Sequence, residues 1–282
     1  MTVSGGNGEG HELNQLSKPW GICIDEEKTI YVADQGNHRI VKWKKDAICG
    51  ETVAGGNENH RLNFPTKAII DEVNDCLIIA DLGNKRVVRW PRRPDASREI
   101  MIENIICIDI ILHQNQYLYI LDIEKQEVRR WKLGENEKVI VAGGNGCGSN
   151  LNQLNNAYFI CIDQEEALYV SDSSNHRVVK WIKDAKEGIV IVGGHGKGAD
   201  LKQLSYPQGI FVDRLGTLYI VDQGNYRIVR WIKGAKEGSI IVDGNSNENQ
   251  LDGPIGLSFD NENNLYIVDC NNHRIQKFDA NN

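Results

Sequence analysis

The chain has 282 residues, of which 40% are hydrophobic and 25% are charged, and its formal net charge is −7. This composition is that of a soluble globular protein, and the negative charge argues against a surface built mainly for nucleic acid. No apolar run approaches the length of a membrane span, and residues 1–30 contain no basic-then-apolar leader. We therefore expect a cytoplasmic protein, or an extracellular one if a leader is missing from this chain.

The seven cysteines are an odd number and contain no Cys-x-x-Cys spacing. This pattern predicts neither a disulfide framework nor a cysteine-based zinc site. We expect buried free thiols in a reducing compartment.

The first repeat shows which strands to expect. Residues 1–6 read as a short strand ending in Gly-Gly, and four further strand signals follow within residues 14–56. Those four are an apolar run at 21–24, a strand at 30–34 ending in Asp34, a basic and apolar strand at 39–43 ending in Trp43, and a strand at 52–56 ending in Gly-Gly. The uninterrupted apolar run predicts an inner strand with both faces covered.

The same unit recurs along the whole chain. From one Asp at the end of a second strand to the next, the steps are 47, 41, 50, 50 and 47 residues. A repeat of roughly 40 to 50 residues made of short strands is the signature of propeller blades. The predicted blades are residues 14–56, 60–103, 104–144, 152–194, 202–244, and 251–282 together with 1–6.

The two ends of the chain are predicted to share the last blade. Only four residues follow Phe278, too few for a fourth strand, whereas residues 1–6 look like a fourth strand without its first three. Pairing them would remove the exposed edges of an open ring. We therefore predict a single all-β domain over residues 1–282, a six-bladed β-propeller of four-stranded antiparallel blades closed by the strand at 1–6, and we expect a monomer.

An Asp-x-x-Asn-x-Arg turn joins the second and third strands in five repeats. Its Asp and Arg stand at the two ends of a hairpin, where they can pair, and its Asn and the neighbouring Gly tolerate a left-handed backbone. A catalytic site needs each group once, so the repetition favours a structural role. The residues are Asp34, Asn37, Arg39, Asp81, Asn84, Arg86, Asp172, Asn175, Arg177, Asp222, Asn225, Arg227, Asp269, Asn272 and Arg274. In the third repeat the turn begins at Asp122, and Lys125 and Glu127 replace the Asn and the Arg.

With this Asn-His and Arg-apolar pattern at this period, the chain resembles the NHL-repeat family of six-bladed propellers. The resemblance extends over the whole chain and is clearest where the turn reads Asn-His-Arg, at 37–39, 175–177 and 272–274. Members of the family include RNA-binding and protein-binding domains of tripartite-motif ubiquitin ligases, extracellular sensor domains and a peptide-amidating lyase. The function we expect is a non-catalytic protein- or peptide-binding module, with substrate recognition in a ubiquitin-ligase-like context.

Two alternatives stay open. A metal-dependent propeller enzyme, like the peptidyl-hydroxyglycine lyase or like a lactonase, would need converging metal ligands. His38, His176 and His273 instead recur at one turn position in separate blades, and the inner strands are apolar apart from Asp109. We therefore expect no catalytic residue, cofactor or metal site. An RNA-binding domain would use the basic residues beside the strand-three tryptophans, whose stems we expect to extend outward from packed rings.

The expected binding surface is the face that carries the Asn turns and the long glycine-rich loops. These loops, at 7–18, 57–64, 145–156 and 195–206, are the longest and most varied connections. We predict a protein or peptide partner there, and neither nucleic acid nor a membrane. The candidate contacts are Trp20, Lys67, Tyr158, Tyr206 and Gln208 near the channel mouth, Lys85 and Tyr226 in the turns, and Asp109, which stands where other repeats have glycine.

Overall fold

The computed structural model describes residues 1–56, 61–93, 97–114, 116–135, 137–246 and 250–279. These residues form 24 strands in six four-stranded antiparallel sheets, which confirms the predicted six-bladed β-propeller. Helix in this part of the chain is limited to single 3-10 turns at 35–37, 82–84, 173–175 and 223–225, none of which could span a membrane. The predicted blade start at residue 60, the loop residues 57–60 and the last three residues lie outside the described part.

Each blade uses four consecutive strands, except that β1 joins the last blade. In chain order the strands of the first three blades, preceded by β1 (Thr2–Gly5), are β2 (Pro19–Ile24), β3 (Ile30–Asp34), β4 (Arg39–Trp43) and β5 (Glu51–Gly55); β6 (Pro65–Asp71), β7 (Cys76–Asp81), β8 (Arg86–Pro91) and β9 (Glu99–Glu103); β10 (Cys107–His113), β11 (Tyr117–Asp122), β12 (Glu127–Lys132) and β13 (Lys138–Gly143). The strands of the last three blades are β14 (Ala157–Ile162), β15 (Leu168–Asp172), β16 (Arg177–Trp181) and β17 (Ile189–Gly193); β18 (Pro207–Val212), β19 (Leu218–Asp222), β20 (Arg227–Trp231) and β21 (Ser239–Asp243); β22 (Pro254–Phe259), β23 (Leu265–Asp269) and β24 (Arg274–Phe278).

The chain divides into two compact units. One comprises Met1–Cys107 with Asp252–Asn282, and the other comprises Ile108–Leu251. In the first unit, β1 pairs with β24, with Thr2 opposite Gln276 and Gly5 opposite Arg274. The N-terminal strand therefore completes the sixth blade, in the order β1-β24-β23-β22, as the sequence predicts.

The strand register places the turn residues side by side at one end of each blade. In the first blade Pro19 lies opposite Asp34, Asp34 opposite Arg39, and Arg39 opposite Gly55. The fifth blade repeats this register, from Pro207 through Asp222 and Arg227 to Asp243. One row of four residues thus crosses all four strands where the Asn turn begins.

The second strand of a blade is more buried than the first. All five residues of β3, β15 and β23 are buried, whereas three of the six residues of β2 are only half-buried. The expectation of a first strand covered on both faces is therefore wrong for β2. The reason is that β2 forms the edge of its sheet and has one neighbouring strand, while β3 has two.

Apolar side chains between neighbouring blades form the core of the first unit. One cluster joins Val41 and Trp43 of the first blade to Tyr266 and Ile275 of the sixth. A second cluster joins β3 to β7 and β8, and includes Trp90. Burying one such side chain contributes about 1.5–3 kcal/mol, so the packing between blades is a large part of the stability of this unit.

Candidate functional site

The Asp of each repeated turn collects several hydrogen-bond donors in a buried position. Asp222 Oδ2 accepts from Arg227 Nε and Asn225 Nδ2, both at 2.7 Å, and its Oδ1 accepts from the backbone N–H of Ser205 at 2.6 Å. Burial raises the pKa of the Asp222 carboxyl, and the bonds from Asn225, Ser205 and Arg227 oppose that rise. The predicted Asp–Arg pairing is also present, at 2.7 Å each, in the pairs Asp34–Arg39, Asp81–Arg86, Asp172–Arg177 and Asp269–Arg274.

The left-handed position of the turn is not the predicted one. It is taken by the residue after Asn, with a φ of 56° at His38 and 53° at Tyr226. The side-chain Nδ2 of Asn37 instead donates hydrogen bonds to Asp34 Oδ2 and Gly10 O. Gly36 is needed for space, because a Cβ there would lie 2.4 Å from Ser17 Oγ. The expectation that Asn and Gly supply the left-handed backbone is therefore wrong.

The third blade replaces the turn arginine by one placed two residues later. Glu127 occupies the usual arginine position and is buried, and Arg129 Nε donates to it. Arg129 Nη2 also lies 3.9 Å from Asp122 Oδ2. Burial raises the pKa of Asp122, and the nearby Glu127 carboxylate adds to that rise, while the backbone bond from Lys125 and the charge of Arg129 oppose it. An arginine therefore lies beside the Asp in this blade as well, although it comes from a position two residues later in the sequence.

The turn arginines also bind the long loops that lead into three blades. Arg39 Nη1 donates to His11 O at 2.7 Å, and its Nη2 donates to Glu12 O and Gln15 O at 3.0 and 3.1 Å. Arg177 and Arg227 each make the three corresponding bonds to the loops at 145–156 and 195–206. These arginines therefore hold loops as well as strands, and they are not available to a ligand.

Three turn histidines join one blade to the next. His38 Nδ1 accepts from the backbone N–H of Phe64 at 3.0 Å, and His176 Nδ1 accepts from Tyr206 N–H at 3.2 Å. His273 Nδ1 accepts from Lys18 N–H at 3.2 Å. A ring nitrogen accepts such a bond through its lone pair. These histidines are accordingly structural acceptors at three separate blade junctions.

Acidification is expected to weaken the junction at His176. Burial, and after it the charge of Lys197, lowers the pKa of His176, against the opposing effects of Asp222 and Asp172. Since the folded state disfavours the protonated ring, its stabilisation is present above the ordinary pKa of about 6.5 and is lost as the pH falls through the lower folded value. Urea unfolding at pH 5.5 to 8 should show the stability advantage of the wild type over His176→Asn shrinking on acidification. A difference independent of pH would contradict this role.

Several of the predicted contact residues lie inside the protein. Gln208 is buried and its Nε2 donates to Ser173 Oγ at 3.2 Å. Asp109 is buried, and its Oδ2 accepts from the backbone N–H of Ile160 at 2.9 Å. Lys67 is half-buried, and its Nζ donates to Ile22 O on the neighbouring blade at 2.8 Å. The polar atoms of these three residues thus bond to neighbouring blades, and their role as ligand contacts stays a prediction.

The remaining candidates differ in their exposure. Trp20 and Tyr158 are half-buried, and Lys85 is exposed. Tyr206 and Tyr226 are 41% and 42% exposed, and Lys197 Nζ lies 4.8 Å from the centroid of the Tyr206 ring. Lys85, Tyr206 and Tyr226 are therefore the most exposed of the predicted contacts.

Phe64 is an exposed aromatic residue that the sequence reasoning missed. It is 46% exposed and immediately precedes Pro65, just as Tyr206 immediately precedes Pro207. The two rings are held alike, edge-on against His38 at 4.6 Å and against His176 at 4.7 Å between ring centroids. The aromatic residue before the proline of a first strand was the signal that could have identified it.

Metal-ligating and nucleophilic groups are dispersed. Within the described ranges, no three His, Cys, Asp or Glu side chains are grouped so that they could hold a metal ion. All seven cysteines are free, but Cys49 and Cys147 are exposed, so the expectation of uniformly buried thiols is wrong for these two loop residues. Burial, and after it the Asp109 carboxylate, raises the pKa of Cys161, which favours its thiol form.

Comparison with known proteins finds short matches in the repeats. The NHL repeat family model matches residues 16–43 and 251–278. Protein wech of Drosophila melanogaster is 42% identical over 38 residues, which are 14% of this chain and 5% of wech. The E3 ubiquitin-protein ligase TRIM71 of Xenopus tropicalis is 46% identical over 37 residues, which are 13% of this chain and 4% of that protein. The matches thus span a small part of these relatives.

Solved structures resemble the chain over nearly its whole length. A structural genomics protein of unknown function from Bacteroides thetaiotaomicron has a TM-score of 0.78 at 18% identity, covering 98% of this chain and 74% of that one. A streptogramin B lyase has a TM-score of 0.65 at 12% identity, covering 95% and 96%. A gluconolactonase from Xanthomonas campestris has a TM-score of 0.68 at 13% identity, covering 93% and 86%. At these identities the likeness shows the fold alone.

Proposed function

Since this chain is an NHL-repeat six-bladed β-propeller, we propose that it is a non-catalytic module that binds a protein or a peptide. In each unit, the proposed binding surface is the end of the blades that carries the Asn turns and the loops before the first strands. Its role is substrate recognition in a ubiquitin-ligase-like context, a proposal supported by the short match to an E3 ubiquitin-protein ligase.

One observation carries this proposal, namely the pair of exposed aromatic rings at the same repeat position. Phe64 and Tyr206 both have left-handed backbones, with φ of 48° and 50°, and both rings rest against a histidine. Aromatic side chains held in place lose little conformational freedom on binding and are enriched at protein interfaces. A rigid, repeated aromatic position therefore suits recognition of a protein surface.

The repeated polar groups support a binding role over catalysis. Asp222 is fully buried and bonded to Arg227 and Asn225, and His176 uses its Nδ1 at a blade junction. Carboxylates and imidazoles that act in acid–base chemistry must reach a reacting group. Here those groups are engaged by the scaffold, while Lys85, Tyr206 and Tyr226 face outward.

Substitution of the aromatic position tests the proposal. We expect Tyr206→Asn and Phe64→Asn to reduce crosslinking to a partner at least tenfold, since asparagine keeps the left-handed backbone and removes the ring. Leu215→Asn is the matched control, because Leu215 is 82% exposed in the turn at the opposite end of the fifth blade. Equal losses in all three variants would contradict binding at this aromatic position. Stoichiometric zinc or calcium in the purified protein would contradict a non-catalytic role.

A further inference from the structure

The loop that leads into the second blade is shorter than the loops that lead into the first, fourth and fifth blades. From the glycine at the end of a fourth strand to the start of the next first strand, the chain takes 14 residues in three repeats: Gly5 to Pro19, Gly143 to Ala157, and Gly193 to Pro207. From Gly55 to Pro65 it takes 10. The loop into the second blade is therefore four residues shorter than these three loops.

In the three long loops, the extra residues form a turn against the blade that follows. In the first blade, Gln15 N–H donates to Glu12 O at 3.1 Å, which closes the turn, and Leu13 O accepts from the backbone N–H of Gly50 at 2.7 Å. The Nη atoms of Arg39 bind three carbonyl oxygens of the same turn. Leu151 with Gly188 and Leu201 with Gly238 repeat the leucine–glycine bond at 2.8 Å. The turn thus binds at a defined position on the blade, formed by an arginine and a glycine. We call this position the seat and its glycine the seat glycine.

Among the described residues, no turn occupies the corresponding seat on the second blade, which we call the open seat. Arg86 still pairs with Asp81, but its only other bond among the described residues is from Nη2 to Arg61 O at 3.3 Å. The Arg86 side chain is 27% exposed, against 7–8% for Arg39, Arg177 and Arg227. Beside it lies a groove of about 610 Å³, lined by Arg61, Lys85, Arg86, Trp90, Arg98 and Glu103 among others, which we call the basic groove.

An arginine replaces the seat glycine in this blade. Gly50 precedes Glu51, which lies opposite Lys42, and Arg98 precedes Glu99, which lies opposite Arg89 at the same strand position. The Arg98 guanidinium lies 4.0 Å above the Trp90 ring, where it remains exposed. The seat of the second blade therefore contains a positive charge in place of the glycine, and this charge lies against an aromatic ring.

The charges of the basic groove favour an anionic occupant. Four of its lining residues are cationic, and Arg61, Lys85 and Arg98 form no ion pair with any residue that the structure describes. Its two acidic residues are Glu99, which pairs with Arg89 at 2.5 Å, and Glu103. A net positive groove on a chain of net charge −7 attracts acidic ligands selectively.

We propose that the basic groove binds a short acidic peptide segment that folds into the same tight turn as the long loops. Its backbone carbonyls accept hydrogen bonds from the Arg86 guanidinium, as loop carbonyls do from Arg39, and its acidic side chains meet Arg61, Lys85 and Arg98. The loop sequences Gly10–Leu16, Gly148–Leu154 and Gly198–Leu204 show the kind of segment that fits, with Glu, Asn or Asp followed by Leu at the bend. This inference rests on the proposed peptide-binding function and assigns it a second surface and a ligand chemistry.

The probe is a fluorescein-labelled cyclic peptide that carries residues 10–16. Cyclisation is suitable because Gly10 N–H donates to Leu16 O at 3.2 Å, so the two ends of the segment lie together. Fluorescence anisotropy should show saturable binding, weakened at least tenfold by Arg86→Ala and by Arg98→Ala. Arg98→Ala guards against a folding defect, since Arg98 has no ion pair with a described residue. The exposed Arg214→Ala is the matched control and should leave binding unchanged.

Four results would overturn the inference. One is absence of saturable binding, or binding that survives both groove substitutions. Another is a uridine oligonucleotide that displaces the peptide and binds more tightly with a steep salt dependence, because the groove would then serve RNA. The third is concentration-dependent self-association that Arg86→Ala abolishes, because the occupant would then be a second copy of this chain. Loss of peptide binding only in Tyr206→Asn or Phe64→Asn would refute the groove and leave the proposed function standing.

Discussion

Replacing Asp222 by alanine is expected to lower the free energy of unfolding by about 3–5 kcal/mol, because it leaves the buried Arg227 guanidinium without its carboxylate. The side chain of Asn225 and the backbone N–H of Ser205 lose the same acceptor. A buried donor that loses its partner keeps the penalty of having left water. Urea unfolding at neutral pH, followed by tryptophan fluorescence, measures the change.

The control for Asp222 is an ion pair in the same unit that faces solvent. Lys183 pairs with Glu166 at 2.6 Å, with half of the lysine side chain exposed. Pairs of this kind contribute little to stability, so Lys183→Ala should leave the unfolding midpoint almost unchanged. If Asp222→Ala behaved like Lys183→Ala, the repeated Asp would be a surface feature of the turn and not the residue that holds the blade end together.

Replacing Trp181 by alanine is expected to cost about 3–5 kcal/mol, the usual range for removing a large buried aromatic side chain. Trp181 is 2% exposed, and its ring fills the space beside Gly188, where a Cβ would lie 2.9 Å from the ring. No side chain at position 188 can move into the cavity, because glycine has none. Thermal or urea unfolding of the purified variant gives the loss directly.

Trp131 is the matched control for Trp181, since it stands at the same strand position in the same unit. It is half-buried, and Lys138 Nζ lies 5.7 Å from its ring centroid. Part of its apolar area is already in water, so Trp131→Ala should cost less than half as much as Trp181→Ala. Equal losses for the two variants would mean that burial against the seat glycine does not decide the stability of this position.

The fold was predictable from spacing because each repeat carries the same physical marks. Each repeat has an Asp at the end of a buried second strand, then a turn, then an aromatic residue near the end of the third strand. These residues recur at the same strand positions with little variation. The strand at Thr2–Gly5 was predictable because the last repeat lacked a fourth strand and the first six residues had the sequence of one. Both inferences rest on the regular spacing of these residues along the chain. The pairing of the strands in each blade follows the same spacing.

The candidate site was harder to predict because exposure depends on neighbouring blades. Gln208 and Asp109 stand on predicted first strands, and the sequence does not show that they are buried and bonded to a neighbouring blade. The left-handed turn residue was misplaced because Asn is the usual choice for that backbone, whereas here Asn37 is held by its side-chain bond to Asp34. The open seat beside Arg86 appears only when loop lengths are compared against the bonds that the longer loops make.

The pairing of β1 with β24 also has a consequence for the order of folding. Lys277 N–H donates to Met1 O at 2.8 Å, a bond between residues near the opposite ends of the sequence. During synthesis, β1 is therefore made long before β22, β23 and β24, the strands with which it shares a sheet. Contacts of such long sequence separation slow folding, and an unpaired strand edge exposed in the meantime favours aggregation. A circular permutant that places Thr2–Gly5 after Phe278 would make this pairing local, and the sixth blade would then no longer depend on a strand made far earlier.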